Sequence, residues 1–341
     1  MIKKFSKFII FFSFILIIVF VRDVERISNI EKLIVTHKFN ILFWELENLP
    51  KKIFNFTDSV NLTEEEVRKE ILEDSISSDD LEAFFQKEVS SRIKETLSMK
   101  FLFPPLSFSI EKPPKVLVIS PRDKIFQQRA ILLKNQIPEE EIILIENSID
   151  SMNYSSIILD TGGFAAYPSI IKPSKNFDFL FSTIAHEWLH HYLIFSPLGR
   201  SYFKGGDMVS INETLADLFA SEILGRSDER KPSHNKFRIM MKETRQRVDD
   251  LLEKGLFDEA EFYMNKRKEF INSEGYSIRK INQAYFAFHG NYGDSPSSTH
   301  DYDKDLKYLL STYDSFEEFL NEIKNIDEPK QLEKLINLRS N

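Results

Sequence analysis

Apolar positions follow a different rhythm in each part of this chain. Residues 8–21, FIIFFSFILIIVFV, are apolar without a break apart from Ser13. Residues 24–100 carry apolar residues at helical spacing. Thr63-Glu64-Glu65-Glu66 forms a capping box ahead of VRKEIL, and Asp79-Asp80 opens LEAFFQKEVSSRIKETL. The pairs Pro104-Pro105 and Pro113-Pro114 then break the pattern. Beyond them the rhythm changes to short aliphatic runs closed by turn residues. KVLVIS (115–120), EIILIE (141–146) and SSIILDTGG (155–163) are predicted strands, with a helix over 122–137 between the first two. From about residue 178 the helical period returns and holds to the end. FLFSTIAHEWLHHYLIF is apolar nearly all round, which predicts a central buried helix. SINETLADLFASEILG follows, closed by Gly225. Two helices meet around Gly255, another runs through SIRKINQAYFAFHG, and the last two start near Ser315 and Glu328. The expected fold class is α+β, a small sheet followed by a mostly helical lobe, preceded by a membrane helix.

Composition narrows the function classes. At 42% hydrophobic and 29% charged residues, the 341-residue chain suits one or two globular cores. A net charge of -8 argues against a nucleic-acid partner. There is no Cys, so disulfides, thiolate ligands and a cysteine nucleophile are excluded together. Lys3, Lys4 and Lys7 flank the apolar run on its N-terminal side. As a helix its residues reach about 21 Å against a hydrocarbon core of about 30 Å, so flanking residues must extend the span. Residues 1–23 are read as an uncleaved signal anchor, with a cleaved signal and a buried core helix as the competing readings. The anchor predicts a single-pass membrane protein whose catalytic domain lies outside the cytoplasm, with 24–110 as a helical membrane-proximal region.

His186-Glu187-Trp188-Leu189-His190 carries the chemistry. On a helix, residues four apart share a face, so His186 and His190 can hold one Zn²⁺. Glu187, beside the first ligand, can take a proton from water. The competing reading, core histidines on an apolar helix, leaves several buried polar groups without partners. His191 points about 100° away from the ligand face and is expected to pack or to support the ligands. A catalytic zinc site needs a third protein ligand. Leu193 and Ser196 stand where a metzincin needs Gly and His, and no Cys is available. Asn212-Glu213-Thr214-Leu215-Ala216-Asp217 offers Glu213 as ligand and Asp217, four residues on, as the acceptor that orients a ligand histidine. Ser210 and Glu213 also have capping-box spacing, which would give Glu213 a different task.

HEWLH followed by NETLAD resembles the gluzincin, or thermolysin-like, zinc metallopeptidases. The motifs cover about residues 181–222. The resemblance implies one Zn²⁺ held by His186, His190 and Glu213, with Glu187 as general base and Asp217 as the partner of His186. It implies a zincin-like domain over 111–341, with its sheet in 111–175 and its helical part in 176–341. It also implies a His or Tyr from the later lobe at the oxyanion. AYFAFHGNYG offers Tyr285, His289 and Tyr292, with His289 and Tyr292 the leading candidates. In the related fold an edge strand ahead of the active helix pairs with substrate backbone. Gly162, Gly163 and the residues up to 167 are therefore expected to line the cleft. The implied activity is hydrolysis of a peptide or protein substrate. A zinc hydrolase of another amide, such as cell-wall material, and a zinc-bound but silent scaffold are the alternatives.

Overall fold

Helix-start chemistry and short paired strands set the order of elements that brings the site together. A computed structural model describes residues 29–54, 61–225, 232–290 and 302–340. The chain divides into two units, residues 1–36 and 37–341. Helix α1 (Asn29–Ile34) belongs to the first. The second starts with α2 (Ile41–Phe54), α3 (Glu64–Glu73) and α4 (Ser78–Thr96). Thr63 caps α3 as its spacing predicts. Its hydroxyl accepts from Glu66 N at 3.3 Å, and its own N–H donates to Glu66 Oε2 at 2.8 Å. Thr63→Ala is expected to lower stability by about 1 kcal/mol, read by chemical denaturation.

The strands form two small sheets. In the first, β2 (Lys115–Pro121) lies between β3 (Arg129–Leu133) and β4 (Tyr154–Leu159), antiparallel to both. In the second, β6 (Ser169–Ile171) lies between β1 (Phe108–Ile110), parallel to it, and the edge strand β5 (Gly163–Phe164), antiparallel to it. Two expectations exchange places here. EIILIE is not a strand but part of α5 (Glu139–Asp150), and RAILL is not helical but β3. Pro138 precedes three glutamates in the first turn of α5, all favourable at a helix N-terminus, and Ile142, Ile145, Glu146 and Ile149 bury one stripe. RAILL is held by its pairing with β2, a tertiary contact that outweighs local propensity.

The outer edge of β4 is closed by side chains rather than by another strand. Glu146 Oε1 accepts the Ile158 N–H at 2.7 Å. Arg279 donates to Glu146 Oε1 at 2.6 Å and to Ile158 O at 3.1 Å. Lys280 and Asn282 each donate to Ser156 O at 2.8 Å. An edge so occupied offers few free groups to a further strand.

Helix α6 (Phe177–Leu193) runs through the main core. Trp188, Phe181, Leu180 and Leu189 on it are fully buried. The Trp188 indole donates to Pro104 O at 2.9 Å. Around it pack α3, α4 and α8 (Asp207–Leu224), reached through the short α7 (Pro197–Ser201) and a 3₁₀ turn, Tyr202–Lys204. Arg68 of α3 ties to Asp178 in the first turn of α6 at 2.6 Å. The helical lobe continues with α9 (Pro232–Glu253), α10 (Phe257–Ser273), α11 (Gln283–His289), α12 (Tyr302–Leu310), α13 (Phe316–Ile323) and α14 (Pro329–Arg339). The helix expected from Ser277 starts only at Gln283, where the Asn282 side chain caps it.

The expected membrane helix and the single-pass, extracytoplasmic placement built on it are corrected. Residues 1–23 lie outside the described residues. Among the described residues no helix is long and apolar enough to cross a membrane. The long helices show why: α9 is studded with Lys, Arg, Asp and Glu, and α8 carries Asp207, Glu213, Asp217 and Glu222. The fold is a mixed one, mostly helical with small sheets.

Candidate metal centre

Two helices meet at the site because the chain between them turns twice within a short distance. Ser196 caps α7 and Pro197 starts it, which ends the course of α6. Gly199 lies so close to the Leu193 carbonyl that a Cβ would overlap it. Gly205 and Gly206 then take positive φ values of 75° and 62° and release the chain into α8 at Asp207. Helix α8 therefore starts one turn earlier than expected, and Ser210 lies inside it. The capping-box reading of Glu213 is thereby removed. Ser210 Oγ instead donates to Gly290 O at 3.2 Å, tying the end of α11 to α8 one turn before Glu213.

His186, His190 and Glu213 converge. His186 Nε2 stands 3.1 Å from His190 Nε2 and 3.2 Å from Glu213 Oε2, and His190 Nε2 is 3.6 Å from the same oxygen. Ligands placed tetrahedrally at 2.0–2.1 Å from one ion are about 3.3 Å apart. The three spacings fit that figure. Protons alone satisfy the trio poorly, because one ring nitrogen of His186 faces both an imidazole and a carboxylate. This half-buried to buried His-His-Glu group can hold a metal ion. Asp217 Oδ1 lies 2.8 Å from His186 Nδ1, which orients the ring with Nε2 toward the trio.

The charges reinforce one another. Burial opposes a charged imidazole at His186, but Asp217 and Glu213 more than offset it and hold its pKa well above the ordinary histidine value. Burial likewise opposes ionisation of Glu213, yet the two imidazoles keep its carboxyl well below the usual carboxylate range. Glu187 is buried on the neighbouring face of α6. There burial raises its pKa against the pull of the two histidines.

No known family, curated protein or solved structure matches this chain. The chemistry of the site is read from its own residues.

Glu187 faces the edge strand. A Cβ on Gly163 would collide with Glu187 Oε1 and lie 2.7 Å from Thr183 Cγ2. Thr183, Glu187 and His191 follow at four-residue spacing along α6, so one face of the helix meets the segment that starts at β5. His191 closes that face. Its ring lies 5.2 Å from that of Tyr167, and its Nε2 is buried without a hydrogen-bond partner among the described residues. Burial and the neighbouring His190 lower its pKa to about 4.

His289 ends α11 with its ring centroid 4.2 Å from that of Tyr285 and tilted to it by 47°, and burial lowers its pKa to about 4. Tyr292 lies outside the described residues. Tyr202 is a site residue that motif reading missed. Its hydroxyl donates to Glu213 Oε1 at 3.0 Å, and its ring lies edge-on to His190 at 5.8 Å. The Glu213 charge, then burial, push its own pKa well above the phenol value. The signal that points to it is the short link between the two motifs. A chain that reverses within those few residues must bring its turn to the point where the motifs meet.

Proposed function

We propose that this chain is a zinc-dependent peptidase, with His186, His190 and Glu213 as the metal ligands and Glu187 as the general base. The observation that carries the reading is the convergence of three ligand atoms on one point, with a second buried carboxylate, that of Glu187, beside them at a sheet edge. Two imidazoles and one carboxylate, without thiolate, form the donor set of catalytic zinc sites that keep a position open for water. When bound, the ion supplies Lewis acidity to a carbonyl and to water.

The protein's own groups do the rest. Glu187 accepts a proton from the attacking water on its carboxylate and later passes it to the leaving nitrogen. Its raised pKa suits it to hold that proton between the two steps. The edge strand β5 beside Glu187 supports a substrate that adds as an extended strand, which favours a peptide over other amides. His289, kept neutral by burial, is the candidate donor to the oxyanion, because the carbonyl that follows it is tied to Ser210 on the ligand-bearing helix. The arrangement resembles the gluzincin plan and supports assigning the chain to that mechanistic class.

Elemental analysis of the purified chain is expected to find one zinc per molecule. A chelator is expected to stop cleavage of a peptide library, and added Zn²⁺ to restore it. His190→Ala is expected to bind no zinc at stoichiometric concentration. A wild-type chain that takes up no divalent ion would overturn the proposal.

A further inference from the structure

Glu213 has two oxygens, and the structure gives them different neighbours. Oε2 faces His186 and His190, whereas Oε1 accepts the Tyr202 hydroxyl at 3.0 Å. The carboxylate itself is buried. We propose that Tyr202 is a positioning residue that commits Glu213 to binding the metal through Oε2 alone. This inference rests on the metal-binding reading of the site.

A carboxylate can bind a cation through one oxygen or both. A hydroxyl that already donates to one oxygen stabilises it where it stands and withdraws it from the ion. The Tyr202 hydroxyl is well suited to that task. A phenol hydroxyl is a donor at neutral pH, and this one is anchored through the backbone. The 3₁₀ turn that carries it follows α7 directly, and α7 is locked to the end of α6 by the Gly199–Leu193 approach. The ring also lies edge-on to His190, so one side chain sets the orientation of two ligands from opposite helices. Holding Glu213 to a single oxygen leaves a coordination position for water or substrate, which a two-oxygen carboxylate would crowd.

The test is Tyr202→Phe, which removes the hydroxyl and keeps the ring. Zn²⁺ affinity is measured by competition with a chromophoric chelator, and the visible spectrum is recorded with Co²⁺ in place of Zn²⁺. Affinity is expected to fall about 10–100-fold, the usual effect of losing a hydrogen bond to a ligand. The Co²⁺ absorption is expected to weaken, because the freed Oε1 raises the coordination number. In a Glu213→Ala background, Tyr202→Phe is expected to cost no further affinity. An unchanged affinity with an unchanged Co²⁺ spectrum overturns the inference. An equal loss in the Glu213→Ala background overturns it as well, since the tyrosine would then act through the fold. A wild-type chain that binds neither ion overturns the metal reading itself. Wild-type binding with an unaltered variant sinks the role of Tyr202 alone.

Discussion

Glu187→Gln is expected to keep its zinc and to lose hydrolysis by about 10²–10⁴-fold, the usual contribution of a general base. The two side chains have nearly the same shape, so the ligand atoms on the neighbouring face of α6 should stay where they are. The difference is chemical. A carboxylate accepts a proton from water and gives it back, whereas an amide does neither. Stability should not suffer, because burial already disfavours the charged form of Glu187 and the amide carries no charge. The measurement is the cleavage rate per bound zinc, with metal content and melting temperature followed in parallel. A variant that holds zinc and cleaves at the wild-type rate would remove Glu187 from the mechanism.

Gly163→Ala should be nearly as damaging, and for a steric reason. The added methyl has no room, because the Glu187 carboxylate and Thr183 Cγ2 already occupy its place. Either Glu187 rotates away from its working position or β5 moves off the helix. The expected cost is about 1–3 kcal/mol of stability, the range for overpacking. Activity should fall about 10²-fold, since a displacement of this size spoils the alignment of base and substrate. Gly162→Ala is the control. A Cβ there meets only the Phe179 ring, starting at 3.4 Å, which is ordinary contact. Paired denaturation and rate measurements should find Gly162→Ala close to wild type and Gly163→Ala impaired in both. Similar behaviour of the two variants would mean that the sheet edge does not constrain Glu187.

The part of the site that could be read in the sequence is the part set by helical spacing. His186 and His190, and likewise Glu213 and Asp217, sit four residues apart on single helices, and that spacing alone fixes which face they share. The Gly162-Gly163 pair was readable for a related reason, since glycines after a strand allow close approach. Contacts made by folding were not readable. RAILL and EIILIE are equally short and aliphatic, and only pairing with β2 decides which becomes a strand. Pro138 and its three following glutamates held a local hint, but the aliphatic run masked it. Ser210 had the spacing of a helix cap, yet the backbone of Gly205 and Gly206 moved the helix start away from it. Tyr202 belongs to no periodic pattern and reaches Glu213 only through the turn between helices. Residues 1–23, read as a membrane helix from an apolar run and its flanking lysines, lie outside the described residues.

The sealed edge of β4 has a consequence for how the chain is made. Glu146 and Arg279 are 133 residues apart, so the strand and its seal leave the ribosome at different times. At about 5–20 residues per second, roughly 7–27 s pass between them. During that interval β2, β3 and β4 can already pair while the outer face of β4 still lacks Arg279, Lys280 and Asn282. The nascent chain therefore carries a strand edge closed only in part, by Glu146 and Asp150, until its C-terminal fifth arrives. A ribosome stalled before residue 279 should display a sheet that invites other chains, and a chaperone that covers it would be standing in for three side chains not yet made.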